Sequence, residues 1–194
     1  MREGCFAPAL AQPPGQLGSI KPRMNDEDVR DLLGSRRYLQ AFERLLDLYE
    51  TKVYRMALMF LKNPERAEEV SQDVFLKLWK VLPAYDGRAS PGTWLYTIAR
   101  NTCLSALRSE AYRRTTSLDE ASEPAVPATV LRDVELANCL DRLPEIQREV
   151  ITLFYLEEKS VEDVALILNL PEGTVKSHLH RARTALAAML RGVE

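Results

Sequence analysis

From Asp26 to Leu61 the apolar residues Phe42, Leu45, Leu46, Tyr49, Val53, Met56, Ala57 and Phe60 recur at three- and four-residue steps. That period predicts one long amphipathic helix. Asn63 and Pro64 then open a second helix, the first as cap and the second in its first turn, and Pro83 closes it. The break "YDGRASPG" at 85–92 precedes a third long helix, expected from near Thr93 to about Arg108. Residues 25–109 therefore read as one helical domain.

The pattern is interrupted by "SEAYRRTTSLDEASEPAVPATVLRD", whose prolines, hydroxyl residues and acids Asp119, Glu120 and Glu123 read as a flexible acidic linker over 110–132. Residues 133–194 return to short helical patterns: "DVELANCLDRL", "PEIQREVITLFYLE" with Pro144 in a first turn, "SVEDVALILN", and a last helix from Thr174. Ahead of everything, residues 1–24 are rich in Pro, Gly and small residues without a period, and read as a disordered tail. The expected fold class is all-α, two small helical domains joined by a flexible linker. No phosphate-binding glycine loop and no alternating strand pattern occurs, which argues against an α/β enzyme.

Composition narrows the function. With 194 residues and 46% apolar content the chain can bury real cores. Its net charge of −2 means that any nucleic-acid binding must come from local basic patches. Cys5, Cys103 and Cys139 are too widely spaced for a zinc site or a disulfide framework, so no metal and no cofactor is expected. No run of eighteen apolar residues and no apolar leader core is present, so a cytoplasmic protein without membrane insertion is expected.

The last two helices carry the candidate chemistry. Ser160 can cap "VEDVALILN", with Asp163 three residues on, and Leu170-Pro171-Glu172-Gly173 forms a tight connection in which Gly173 could take an unusual backbone angle. Two short helices joined by such a turn have the pattern of a helix-turn-helix. In the second, Val175, Leu179, Ala182, Leu186 and Leu190 form an inward stripe. Ser177, His180, Arg181 and Thr184 face the other way, with Lys176 and Arg183 at the margins and Glu172 the only acid between Pro171 and Arg191. An acid-poor helix after such a turn suits base edges and phosphates of duplex DNA. An ordinary solvated helix face would show the same charges, and the preceding turn is what favours DNA.

Residues 143–190, "LPEIQREVITLFYLEEKSVEDVALILNLPEGTVKSHLHRARTALAAML", resemble region 4 of the extracytoplasmic-function (ECF) sigma factors, group IV of the sigma-70 family. Those small subunits direct bacterial RNA polymerase to promoters. The resemblance implies that Thr174, Lys176, Ser177, His178, His180, Arg181 and Arg183 meet the minus-thirty-five element. His178 stands where the family usually has arginine; it lies beside the apolar stripe and reads either as a packing residue or as a group that shifts promoter preference or makes binding depend on pH.

The helix "PERAEEVSQDVFLKLWKVL" is similar to family region 2.2. Ala67, Val70, Val74 and Leu78 make one apolar stripe, and Glu68, Glu69, Gln72, Phe75, Leu76 and Trp79 crowd the other side, a composition suited to a protein contact. By resemblance, Glu69, Gln72, Asp73 and Trp79 dock on the polymerase β′ coiled coil. Residues 85–109 resemble regions 2.3 and 2.4, which melt the minus-ten element and capture an extruded base. The loop Asp86, Gly87, Arg88, Ala89, Ser90 would close on that base, and Trp94, Thr97, Asn101 and Arg108 would face the strand. Tyr96 offers a further ring, Arg100 lies nearby, and Arg113 and Arg114 are candidate phosphate contacts. Taken alone, Trp94 reads as a core residue sooner than as a stacking platform.

The implied function is that of a sigma factor without covalent chemistry of its own, hence not an enzyme. Its implied partners are core RNA polymerase through the β′ coiled coil and the β flap, promoter DNA, and a cognate anti-sigma factor, often membrane-bound. The two promoter elements lie about 50–70 Å apart, so the linker would have to be drawn out on polymerase; in the free chain the domains could fold together. The rival reading is a helix-turn-helix transcriptional regulator that binds DNA without polymerase. It leaves the second face of the 64–82 helix unexplained.

Overall fold

The computed structural model describes residues 25–116 and 134–191. Among these the chain is helical, with no strand. The expected tail and the acids Asp119, Glu120 and Glu123 lie outside the described residues.

The single helix expected over 26–61 is two. Helix α1 (Asp26–Gly34) starts at Asn25, whose side-chain carbonyl accepts from the backbone N–H of Glu27 and Asp28, while the Asp28 carboxylate accepts from the Asn25 N–H. The three acids of its first turn suit the positive end of the helix dipole. It ends where Arg36 takes the left-handed region at φ 57, with the Arg37 N–H donating to Leu32 O. Helix α2 (Tyr38–Leu61) follows and stops at Lys62, again left-handed at φ 52. Asn63 accepts from the Arg66 N–H and Pro64 occupies the first turn of α3 (Pro64–Val81), as its sequence requires. A single 3-10 turn at Leu82–Ala84 contains Pro83.

Helix α4 (Pro91–Thr116) begins two residues before Thr93 and runs well past Arg108. The linker expected from residue 110 therefore does not begin there as coil. Helices α1 to α4 form a bundle in which α2 lies against both α3 and α4. Its core holds Val29, Leu45, Val53, Ala57, Val74, Leu78, Leu95 and Ala99, all at or near zero exposure. Burying each of the larger aliphatic side chains contributes about 1.5–3 kcal/mol against exposure.

The carboxyl-terminal unit comprises α5 (Val134–Asp141), α6 (Glu145–Ile151), α7 (Val161–Leu168) and α8 (Glu172–Arg191). Pro144 caps α6 rather than entering its first turn, and α6 continues into a π turn over Thr152–Leu156. Ser160 caps α7 by accepting from the Asp163 N–H. The turn after α7 differs from the expectation in one respect. The left-handed residue is Asn169, at φ 53, and Gly173 sits inside the first turn of α8. Asn tolerates that backbone region better than other non-glycine residues, so the turn needs no glycine. Val175, Leu179 and Ala182 are buried as expected, but Leu190, at the open end of α8, is 47% exposed.

The two units pack on each other, α4 against α7, and Thr152 Oγ1 meets Met59 Sδ at 3.3 Å. No helix among the described residues is long and apolar enough to cross a membrane.

Candidate functional site

Three surfaces bear the expected functional residues. The first is an open groove of about 960 Å³ between α2 and α3. Alternation on α3 turns Ala67, Val70, Val74 and Leu78 inward and leaves Glu68, Glu69, Gln72, Asp73, Leu76 and Trp79 outside. Gln72, Leu76 and Trp79 line the groove, whereas Glu69 is held by Arg66 one turn back and, with Asp73, lies beyond the lining. The opposite wall was missed by the sequence reading. It consists of Leu39, Phe42, Leu46, Glu50, Thr51 and Tyr54. Phe42 stacks edge-on against both Phe75 and Trp79, with ring centres 6.3 and 5.3 Å apart. Leu39 and Leu76 remain about 60% exposed, an apolar expanse that folding has not covered. The signal was present as a second stripe at 39, 42 and 46, hidden by the stronger core stripe of the same helix.

The second surface is the loop before α4 together with that helix. Asp86 accepts from the Arg88 N–H at 3.0 Å, Gly87 takes φ 76, and the Tyr85 hydroxyl donates to Ala89 O. The loop is thus held by its own bonds, with the Arg88 and Asp86 side chains outside. Ser90 Oγ accepts from the Thr93 N–H and caps α4. Trp94 is half-buried against Tyr85, ring centres 5.1 Å apart, so it is neither wholly core nor a free platform. Asn101 and Arg108 are exposed on one stripe with the half-buried Thr97. Arg113 is exposed near them, and the Arg114 side chain is outside the described set.

Tyr96 departs from expectation. It is 1% exposed, its ring stands edge-on to Tyr49, and its hydroxyl donates to Glu157. Arg100 is likewise engaged: its Nε donates to Glu149 at 2.6 Å. Burial pushes the Glu149 carboxyl up against the pull of Arg100, and burial pushes the phenols of Tyr49 and Tyr96 well above their usual range. Lys159, lying over both rings, is lowered by burial despite nearby carboxylates. At the start of α4 the Asp26 carboxylate accepts from both the Tyr49 hydroxyl and the Gly92 N–H.

The third surface is α8. Lys176, Ser177, His180, Arg181, Arg183 and Thr184 are exposed on its outer side, and Thr174 is half-buried at its start. The Ser177 and Thr184 hydroxyls donate back to Gly173 O and His180 O, and Lys176 pairs with Glu172. His178 is half-buried beside this face, and its Nδ1 is buried with no hydrogen-bond partner among the described residues. That favours packing over base contact for this ring.

A helix-turn-helix with an acid-poor outer helix, carried with a bundle that leaves an apolar groove uncovered, has the make-up of a DNA-binding transcription protein. Family models identify which kind: residues 45–113 match sigma-70 region 2, and residues 133–186 match sigma-70 region 4. The ECF RNA polymerase sigma factor SigW of Bacillus subtilis is 30% identical over 78% of this chain and 89% of its own length. SigM of Mycobacterium tuberculosis is 30% identical over 90% of this chain and 88% of its own. Among solved structures, the sigma factor RpoE in complex with the anti-sigma factor NepR, from Bartonella quintana, superposes with a TM-score of 0.67 at 28% identity. It covers 77% of this chain and 96% of that one. The chain belongs to the ECF sigma factors, non-enzymatic initiation factors that give RNA polymerase its promoter specificity.

Proposed function

We propose a division of labour between the two units. The bundle, taken as residues 25–109, seats the β′ coiled coil of polymerase in the α2–α3 groove, with Trp79 as its aromatic anchor and Gln72 beside it, while Glu69 and Asp73 supply charge at the rim. The loop Asp86–Ser90 and the face of α4 bearing Trp94, Thr97, Asn101 and Arg108 open and read the minus-ten element. Residues 133–194 read the minus-thirty-five element with the outer face of α8, and meet the β flap near Tyr155, Leu156 and Leu166, each about half exposed. An anti-sigma factor restrains the chain in the cytoplasm by covering the same groove, as NepR partners its own sigma factor.

The observation that carries this reading is the uncovered apolar groove. Its twelve lining residues include Trp79, and a regulator acting on DNA alone would have no use for it. The test is capture of core polymerase by the native chain and by Gln72→Ala/Trp79→Ala, followed by transcription from genomic promoter fragments. Removing an interface anchor costs about 2 kcal/mol or more, roughly thirtyfold in Kd. Equal capture by both proteins, or transcription without polymerase dependence on the native chain, would refute the assignment.

A further inference from the structure

The face of α4 formed by Thr93, Tyr96 and Arg100 is covered by the other half of the same chain. Each of its polar groups meets a carboxylate from the carboxyl-terminal unit. Thr93 Oγ1 donates to Asp163 at 2.7 Å, the Tyr96 hydroxyl donates to Glu157, and Arg100 Nε donates to Glu149. These donors lie three and four residues apart, one row along the helix. The acids come from three successive elements, α6, the stretch after the π turn, and α7. Lys159 closes the row, its ammonium 5.0 Å from the Tyr96 ring centre, and Lys52 lies 3.7 Å from Glu157.

A row of donors matched by carboxylates has the chemistry of a row of donors matched by phosphates. The same hydrogens cannot serve both. Glu149 is 3% exposed and the Arg100 side chain 15%, so this is a desolvated contact rather than a passing surface pair. The seam runs beside the stripe assigned above to the minus-ten strand, and Tyr96 and Arg100 become available to DNA only if the halves part.

We propose that this seam is an autoinhibitory latch: Glu149, Glu157 and Asp163 hold the free chain closed by occupying the donors of α4, and promoter engagement requires the latch to open. The inference rests on the reading of α4 as the strand-opening helix, but the closure itself can be measured without DNA. Removing the acids acts on one state only. In the closed chain a truncated acid strands Arg100 or Tyr96 without a partner, whereas in the open chain water replaces it. A hydrogen bond to a charged partner is of a size that moves such an equilibrium roughly tenfold to a hundredfold.

The experiment compares the native full chain with Glu149→Ala/Glu157→Ala and with the isosteric Glu149→Gln/Glu157→Gln, using small-angle X-ray scattering and transcription at limiting core polymerase. The expected result is a compact native chain, an expanded double variant, and transcription from a cognate promoter raised at least fivefold at subsaturating protein. If the alanine variant loses helix content by circular dichroism, the glutamine variant supplies the same comparison. A native chain already expanded, or both variants as compact as native, overturns the latch. Absence of promoter-dependent transcription with every form, native included, would instead overturn the initiation reading, and the scattering would still decide the latch.

Discussion

Gly92 offers a stringent test of how α4 is anchored. A Cβ placed there would stand 2.6 Å from Tyr49 Cζ and 2.8 Å from Asp26 Oδ2, and closer still to the Tyr49 hydroxyl. Ordinary carbon contacts lie at about 3.5–4.0 Å, so the ring must retreat by roughly 1 Å. It has little room, being 7% exposed and packed edge-on against Tyr96 with ring centres 5.9 Å apart. Overpacking of this kind costs about 1–3 kcal/mol. Asp26 also loses good geometry to the Tyr49 hydroxyl and the Gly92 N–H, and bonds to a charged acceptor contribute about 1.5–3 kcal/mol each before partial compensation by water. Against this, alanine in place of glycine within a helix gains about 1 kcal/mol. The net expectation for Gly92→Ala is a loss of about 2–4 kcal/mol. The assay is urea unfolding of the full chain followed by circular dichroism, with the midpoint lowered and the slope unchanged. Tyr49→Phe deletes the nearest atom, so Gly92→Ala should cost at least about 1 kcal/mol less in that background. A Gly92→Ala protein as stable as native, or equal costs in both backgrounds, would refute the steric argument.

Two further outcomes follow from single residues. Burial pushes the Cys103 thiol up to about 12 from 9.0, so the folded chain keeps a proton that the unfolded chain releases. The contribution is complete below pH 9 and is lost as pH rises through that window, at about 1.4 kcal/mol per unit. The stability gap between native protein and Cys103→Ala should therefore shrink from pH 9 upward, and parallel stability curves would contradict it. Arg181→Ala removes an exposed donor from the outer face of α8 without touching the core. Thermal unfolding should be unchanged, while affinity of the polymerase complex for a cognate promoter falls by about 1–3 kcal/mol, measured by electrophoretic mobility shift at fixed salt.

What the sequence could and could not announce divides along a physical line. Asn63 with Pro64, and Ser160 with Asp163, were legible because a cap is a bond between residues two or three apart. The inward stripes of α3 and α8 were legible because burial repeats with the helical period, whereas the region-level resemblance rested on particular stretches such as "GTVKSHLHRAR". The break at Arg36 was not: a left-handed arginine carries no compositional signal, and the apolar period resumes beyond it. Asn169 likewise takes the turn conformation expected of a glycine four residues later.

The seam is the least legible feature. Tyr96 and Arg100 look like ring and charge available to DNA because side-chain type declares what a group can donate. It does not declare to whom. Their acceptors Glu157 and Glu149 lie 61 and 49 residues away, and in the sequence each looks like one more acid on a solvated helix. Only folding pairs them, because a donor buried in the seam needs an acceptor and a carboxylate supplies one. The donor row of α4 and the acid row opposite it can therefore be matched only in the folded chain, where each donor has a named acceptor.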